Sequence, residues 1–66
     1  MYPNLRAELV RQGIKMGEFA ERIGMSTQCF SMRMNGKREF TYNECCKIKS
    51  TLGVDIPLEI LFEEAN

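Results

Sequence analysis

The sequence contains no histidine and no tryptophan, and only two of its 66 residues are proline. Without histidine, a zinc site would need cysteine and carboxylate ligands alone. The three cysteines, Cys29, Cys45 and Cys46, form an odd set without CxxC spacing, which makes a poor disulfide framework. We therefore expect reduced thiols in a cytoplasmic protein that binds no metal ion and no other cofactor.

Other features that define large classes of protein are also missing. No apolar run approaches the ~20 residues of a membrane span, and the N-terminus lacks a basic segment followed by an apolar one. The sequence has no glycine-rich phosphate loop after a strand, no carboxylate pair on one predicted helix face and too little length for a deep pocket. We therefore predict a single domain over residues 1–66 that is not an enzyme and associates with no membrane or small-molecule ligand.

Charge is unevenly distributed along the chain, although nine basic and nine acidic residues cancel. Residues 1–38 hold seven bases and three acids, and residues 39–66 hold two bases and six acids. Such a dipolar molecule can turn a basic side toward a polyanion and an acidic side away from it. In so short a chain, chance can also produce this asymmetry.

Glycines divide the chain into segments of about ten residues, which is typical of short helices joined by tight turns. Asn4 and Ser26 are good N-caps, Thr41 and Glu44 have capping-box spacing, and Asp55 is a further cap candidate. Alternation typical of strands is nearly absent. The sequence therefore predicts an all-α fold with helices over residues 4–12, 16–23, 26–35, 42–52 and 57–63.

The predicted core consists of the apolar residues that share one face of each predicted helix, with a few from the connecting turns. They are Leu5, Leu9, Ile14, Phe19, Ala20, Ile23, Phe30, Met34, Phe40, Ile48, Leu52, Ile56 and Leu61. This set is small but sufficient for an all-helical domain.

Residues 14–37 carry the most informative pattern. Two predicted helices are separated only by Gly24 and Met25, and so short a turn with glycine first makes the helices cross steeply. Ala20 is small where the helices approach each other, and Phe30 is placed to pack back across the turn. The pattern predicts a helix-turn-helix.

The spacing of these and other residues resembles the lambda-repressor-like family, also called the Cro/repressor or xenobiotic-response-element type. The matching positions are Gly13-Ile14, Phe19-Ala20, Ile23-Gly24, Ser26, Phe30-Ser31, Asn35-Gly36-Lys37 and Leu52-Gly53-Val54-Asp55 followed by Leu61-Phe62. The resemblance covers nearly the whole chain, whose length is similar to that of small phage and prophage Cro-like regulators. It implies a compact five-helix domain whose third helix enters the major groove, with two copies on a near-palindromic operator.

The resemblance also implies which residues contact DNA. Ser26, Thr27 and Gln28 match the groove-facing start of the recognition helix, and Asn35 and Lys37 match a loop that contacts the DNA backbone. Helical geometry agrees, because side chains of Gln28 and Asn35 point outward when the apolar residues of the same helix face the core.

Each predicted contact has a chemical reason. Gln28 can pair with N6 and N7 of adenine, and Met32 can touch a thymine methyl group. Thr27 can either bond a phosphate or touch a thymine methyl group. Arg33 and Arg38 can neutralise phosphates.

The sequence departs from the family at the start of the second helix. Lys15 and Met16 stand where the family often has a Ser or Thr cap followed by Gln, so Lys15 would supply a phosphate contact by charge while the cap is lost. The complete set of predicted DNA contacts is Lys15, Met16, Ser26, Thr27, Gln28, Ser31, Met32, Arg33, Asn35, Lys37 and Arg38.

Structural roles can explain several of these residues without DNA. Ser26 can be a helix cap only, and Gln28 can be an ordinary exposed polar residue. Lys37 and Arg38 can complement the dipole of the preceding helix, and Asn35 can be part of its C-cap.

These observations predict a DNA-binding transcriptional regulator of phage or prophage type, a repressor that acts as a homodimer. Apolar residues on both sides of the last helix, together with the resemblance, place the dimer contact at Pro57, Ile60 and Phe62. A protein-interaction module of the same fold, such as an anti-repressor or antitoxin-like subunit, is the alternative. The zero net charge and the missing Gln of the second helix favour this alternative.

Overall fold

The computed structural model describes residues 1–64 and contains five helices in that range, without strands. They are α1 (Pro3–Arg11), α2 (Met16–Arg22), α3 (Thr27–Met34), α4 (Tyr42–Leu52) and α5 (Leu58–Leu61). The predicted all-α class is thus confirmed, and the first four predicted helices agree with the observed ones to within one residue at each end. No helix in this range is long and apolar enough to cross a membrane.

Three of the helices end in the same hydrogen-bonded turn, with glycine in the left-handed conformation. Gly24, after α2, has φ of 74°, and its N–H donates to the Glu21 carbonyl at 3.1 Å. The next N–H, that of Met25, donates to the Ala20 carbonyl at 2.9 Å. This pair of bonds is a Schellman motif, and glycine is favoured there because it lacks the Cβ that crowds this conformation. Gly13 and Gly36 end α1 and α3 in the same way.

The predicted caps of α3 and α4 are confirmed. Ser26 Oγ accepts the N–H of Cys29 at 3.1 Å. Thr41 Oγ1 accepts the N–H of Glu44 at 3.1 Å, and a Glu44 carboxylate oxygen accepts the N–H of Thr41 at 2.9 Å. Both residues of the capping box therefore satisfy N–H groups that have no partner inside the helix.

The prediction that Asn4 caps α1 is wrong. Proline fits the first turn of a helix, so α1 begins at Pro3 and the residue at the cap position is Tyr2. Asn4 lies inside the helix, where its side-chain amide donates to the Ile60 carbonyl at 2.8 Å. Asn4 therefore joins α1 to α5.

The last helix is shorter than predicted, and Asp55 does not cap it. Pro57 occupies the cap position, and its carbonyl accepts the N–H groups of Ile60 and Leu61 at 3.0 and 2.9 Å. The helical turn ends at Leu61, which is fully buried.

The core differs from the predicted one at its edge. Buried residues are Tyr2, Leu5, Leu9, Phe19, Ala20, Ile23, Phe30, Met34, Ile48, Leu52 and Leu61. Tyr2 is buried although it is absent from the predicted core. Three residues of the predicted core are only partly buried against it: Ile14, Phe40 and Ile56. Tyr2 packs edge-on against Phe40 and Phe62, with ring centroids 5.3 and 6.0 Å away, so these rings close the core beside α5.

Candidate nucleic-acid interface

Helices α2 and α3, which the sequence predicts to form a helix-turn-helix, pack directly on each other. The rings of Phe19 and Phe30 lie 5.6 Å apart between the two helices, and Ala20 is fully buried beside them. At the other end of α2, a Cβ on Gly17 would lie 3.3 Å from Thr27 Oγ1. Gly17 therefore permits the close approach of the first turns of α2 and α3, a role that its place in the sequence did not indicate.

The start of α3 presents polar side chains to the outside. Ser26, Thr27 and Gln28 are exposed, whereas Phe30 and Met34 on the opposite face are fully buried. Ser31 and Met32, one turn further along, are half-buried. Burial of the apolar face fixes the orientation of α3, so the predicted base-reading residues share its outer side.

Arg33 lies near this face but already has a protein partner. Its Nε is 3.2 Å from a carboxylate oxygen of Glu44, and the side chains of the pair are only 17% and 25% exposed. The same oxygen accepts the capping hydrogen bond from the Thr41 N–H. The prediction that Arg33 neutralises a phosphate thus meets a competing interaction within the protein, which the sequence did not reveal.

The loop after α3 holds three further predicted contacts. Lys37 and Arg38 are exposed at its outer side. Asn35 is exposed as well, but its side-chain oxygen Oδ1 accepts from Arg6 at 2.9 Å and its side-chain nitrogen Nδ2 lies 3.4 Å from Ser31 Oγ. Asn35 therefore supports the loop from within, while Lys37 and Arg38 remain available to phosphates.

The two predicted contacts at the start of α2 differ in exposure. Lys15 occupies the N-cap position without a capping hydrogen bond from its side chain, as expected, and is exposed. Met16 is half-buried and packs against the core. Lys15 can therefore meet a phosphate, whereas Met16 serves mainly to support the helix.

Two cysteines have pKa values shifted in opposite directions. A hydrogen bond from Ser26 and the nearby Arg33 lower the pKa of the exposed Cys29 thiol on α3. Burial raises the pKa of Cys45 on α4. The more acidic thiol thus lies on the helix that carries the predicted base contacts.

Arg6 is one of the seven basic residues in the first 38, and no motif in the sequence singles it out. In the structure its side chain joins α1 to the end of α3. One hydrogen-bonding partner, Met1, lies five residues earlier in the chain, and another, Asn35, lies 29 residues later. A local pattern could not have revealed this contact.

The residues predicted for a dimer contact are only partly available. Pro57 is exposed and Ile60 is 46% exposed, but Phe62 is half-buried in the aromatic group with Tyr2 and Phe40. Larger apolar exposure occurs outside the predicted contact, at Val10 on α1 and Tyr42 on α4.

Comparison of the chain with protein-family models, curated proteins and solved structures finds no match. The features that bear on function are the geometry of α2 and α3 and the chemistry of the residues that they expose.

Proposed function

We propose that this protein is a sequence-specific DNA-binding transcriptional regulator, a repressor of the phage or prophage type. The observation that carries the proposal is the exposure of Thr27 and Gln28 in the first turn of α3, together with that of Lys37 and Arg38 in the loop that follows the helix. Polar side chains at the start of a helix can read base edges in the major groove, and flanking cations can hold the phosphates.

In the proposed complex, α3 enters the major groove at its N-terminal end. Gln28 pairs with an adenine, and Thr27 and Met32 contact thymine methyl groups. Lys15 at the start of α2 and Lys37 after α3 contact phosphates on either side. In this proposal the acidic residues of 39–64 face away from the DNA, apart from Glu44, which lies beside α3 and pairs with Arg33.

The regulator acts as a homodimer in this proposal. A lambda-repressor-like domain of this size reads only a short half-site, so a second copy would supply the remaining specificity. The exposed Ile60 and Pro57 are the proposed contact, with the outer edge of Phe62 beside them.

The first experiment selects bound sequences from a random duplex pool at moderate salt. An enriched inverted repeat, with half-sites about one helical turn apart, would support both DNA recognition and the dimer. The absence of enrichment, with a helical and folded protein by circular dichroism, would count against the proposal.

Two variants then separate base reading from phosphate binding. Gln28→Ala should lower affinity for the selected duplex by about 1–3 kcal/mol and leave binding to random duplex nearly unchanged. Lys37→Ala should weaken both alike and reduce the salt dependence of binding. Equal losses on both duplexes for Gln28→Ala would mean that Gln28 does not read a base.

A protein-interaction module of the same fold is the second candidate. It is favoured by the exposed apolar side chains of Val10 and Tyr42, 80% and 74% exposed, and by the zero net charge. Salt distinguishes the two functions, because affinity for DNA falls steeply as salt rises and affinity through an apolar surface does not.

A further inference from the structure

Arg6 on α1 reaches across the molecule to the C-terminal end of α3. Its Nη2 donates to the Asn35 side-chain oxygen at 2.9 Å and lies 3.4 Å from the Met34 carbonyl. Its Nε donates to the Met1 carbonyl at 3.2 Å. One planar guanidinium therefore binds acceptors from the start of the chain and from the end of α3.

The contact continues from Asn35 to the outer side of α3. The amide nitrogen of Asn35 is 3.4 Å from Ser31 Oγ, so the side chain accepts at one end and donates at the other. The Asn35 side-chain amide has a single oxygen, and the hydrogen bond from Arg6 holds that oxygen toward α1. The orientation of the amide, and with it the contact to Ser31, is thus linked to α1.

The Met1 side chain supports the same loop from outside. A Cβ added to Gly36 would lie 2.7 Å from Met1 Cε, which shows how closely this side chain covers the loop. The loop between α3 and Lys37 therefore contacts both Arg6 and the Met1 side chain.

We propose that Arg6 is a positioning residue for DNA binding, which holds Ser31 and the loop of Lys37 in place through Asn35. The inference rests on the proposed function. The guanidinium is turned toward three protein acceptors and acts on the DNA only through them. A loop that is ordered before binding loses less conformational entropy when it meets the phosphates.

Arg6→Met removes the guanidinium and keeps an unbranched side chain. The matched control is Arg11→Met on the same helix, because Arg11 is exposed and pairs only locally with Glu8 at 2.7 Å. We expect Arg6→Met to weaken binding to the selected duplex about tenfold, the equivalent of one charge-assisted hydrogen bond, and Arg11→Met to weaken it less than about twofold.

The salt dependence separates positioning from direct contact. Loss of a phosphate contact lowers the slope of log affinity against log salt by about 0.9, whereas loss of positioning lowers affinity with the slope retained. We expect the slope of Arg6→Met to equal that of Arg11→Met. If the slope fell by about 0.9 in Arg6→Met and not in Arg11→Met, Arg6 would contact a phosphate directly, and the proposal would be overturned.

A double variant tests the route through Asn35. If Arg6 acts through Asn35, adding Arg6→Met to Asn35→Ala should weaken binding no further than Asn35→Ala alone. Additive losses would contradict this route. Should Arg6→Met fail to fold, Arg6→Lys replaces it, since an ammonium keeps the charge and lacks the planar fork; the same loss of affinity is expected.

Nuclear magnetic resonance of the free protein tests the link without DNA. Arg6→Met should shift the side-chain amide signals of Asn35 and the backbone signals of Ser31 and Gly36, and Arg11→Met should leave them in place. Unchanged signals in Arg6→Met would overturn the positioning role. If the wild-type protein binds no duplex, the proposed function fails on that result, and these signals still decide whether Arg6 orders the loop.

Discussion

Replacing Glu44 by glutamine should destabilise the domain and free Arg33 at the same time. The glutamine side chain has nearly the same shape and keeps an oxygen for the Thr41 N–H, so the capping box can persist. What is lost is the charge that faces Arg33 at 3.2 Å. The variant therefore isolates the electrostatic part of the role of Glu44.

The expected loss of stability is about 1 kcal/mol. An exposed ion pair contributes about 0.2–1 kcal/mol, and this pair lies toward the upper end because both side chains are less than one-third exposed. A negative charge in the first turn of α4 adds about 0.3–1 kcal/mol through the helix dipole. Glu44→Ala also removes the capping acceptor and should cost about 1 kcal/mol more.

Urea unfolding followed by circular dichroism measures these differences, provided that the slope against urea is the same in all variants. Glu59→Gln is the control, since it removes an exposed charge from the first turn of α5. We expect a loss below about 0.5 kcal/mol there, from the dipole alone. Wild-type stability in Glu44→Gln would refute the reasoning that the Arg33 pair contributes to the fold.

The same variant decides whether Arg33 can bind phosphate. Without the carboxylate, one guanidinium beside α3 becomes available and one negative charge disappears. We expect tighter binding to random duplex and a salt slope larger by up to about 0.9. An unchanged slope would mean that Arg33 only joins α3 to α4, and the sequence-based prediction for Arg33 would be wrong.

Two further predictions concern the loops and thiols. Gly36→Ala and Gly53→Ala should each lower the free energy of unfolding in urea by about 1–2 kcal/mol, because both residues have positive φ. Only Gly36→Ala should also weaken DNA binding, since its new Cβ displaces Met1. Equal DNA binding by the two variants would contradict this prediction. Cys29 should react with a thiol reagent at lower pH than Cys45, because its lowered pKa leaves more thiolate at a given pH. Peptide mapping of the labelled sites measures both rates, and equal pH profiles would argue against the hydrogen bond from Ser26.

Most of the secondary structure could be predicted because its signals are local. A glycine in the left-handed conformation ends a helix wherever it stands, and a serine or threonine hydroxyl caps the next turn within three residues. The prediction that Asn4 caps α1 failed because Pro3 fits the first turn of a helix, so α1 already begins at Pro3 and Asn4 lies inside it. Tyr2 then occupies the cap position and enters the core.

The candidate site could be predicted only in part, for the same physical reason. The outward direction of Gln28 follows from the helical period once Phe30 and Met34 are placed inside, and both are fully buried. The partners of charged side chains do not follow from any period. Arg33 and Glu44 are eleven residues apart, and Arg6 and Asn35 are 29 residues apart.

The sequence by itself thus determined the limits of four helices to within one residue, the all-helical class of the domain, and which side of α3 faces outward. Only the tertiary structure decided that Tyr2 closes the core, that Arg33 is held by Glu44 and that Arg6 supports the loop after α3. The physical reason is the distance along the chain over which each interaction acts. Caps and turns satisfy backbone groups within a few residues, whereas a side-chain partner depends on how the whole chain packs.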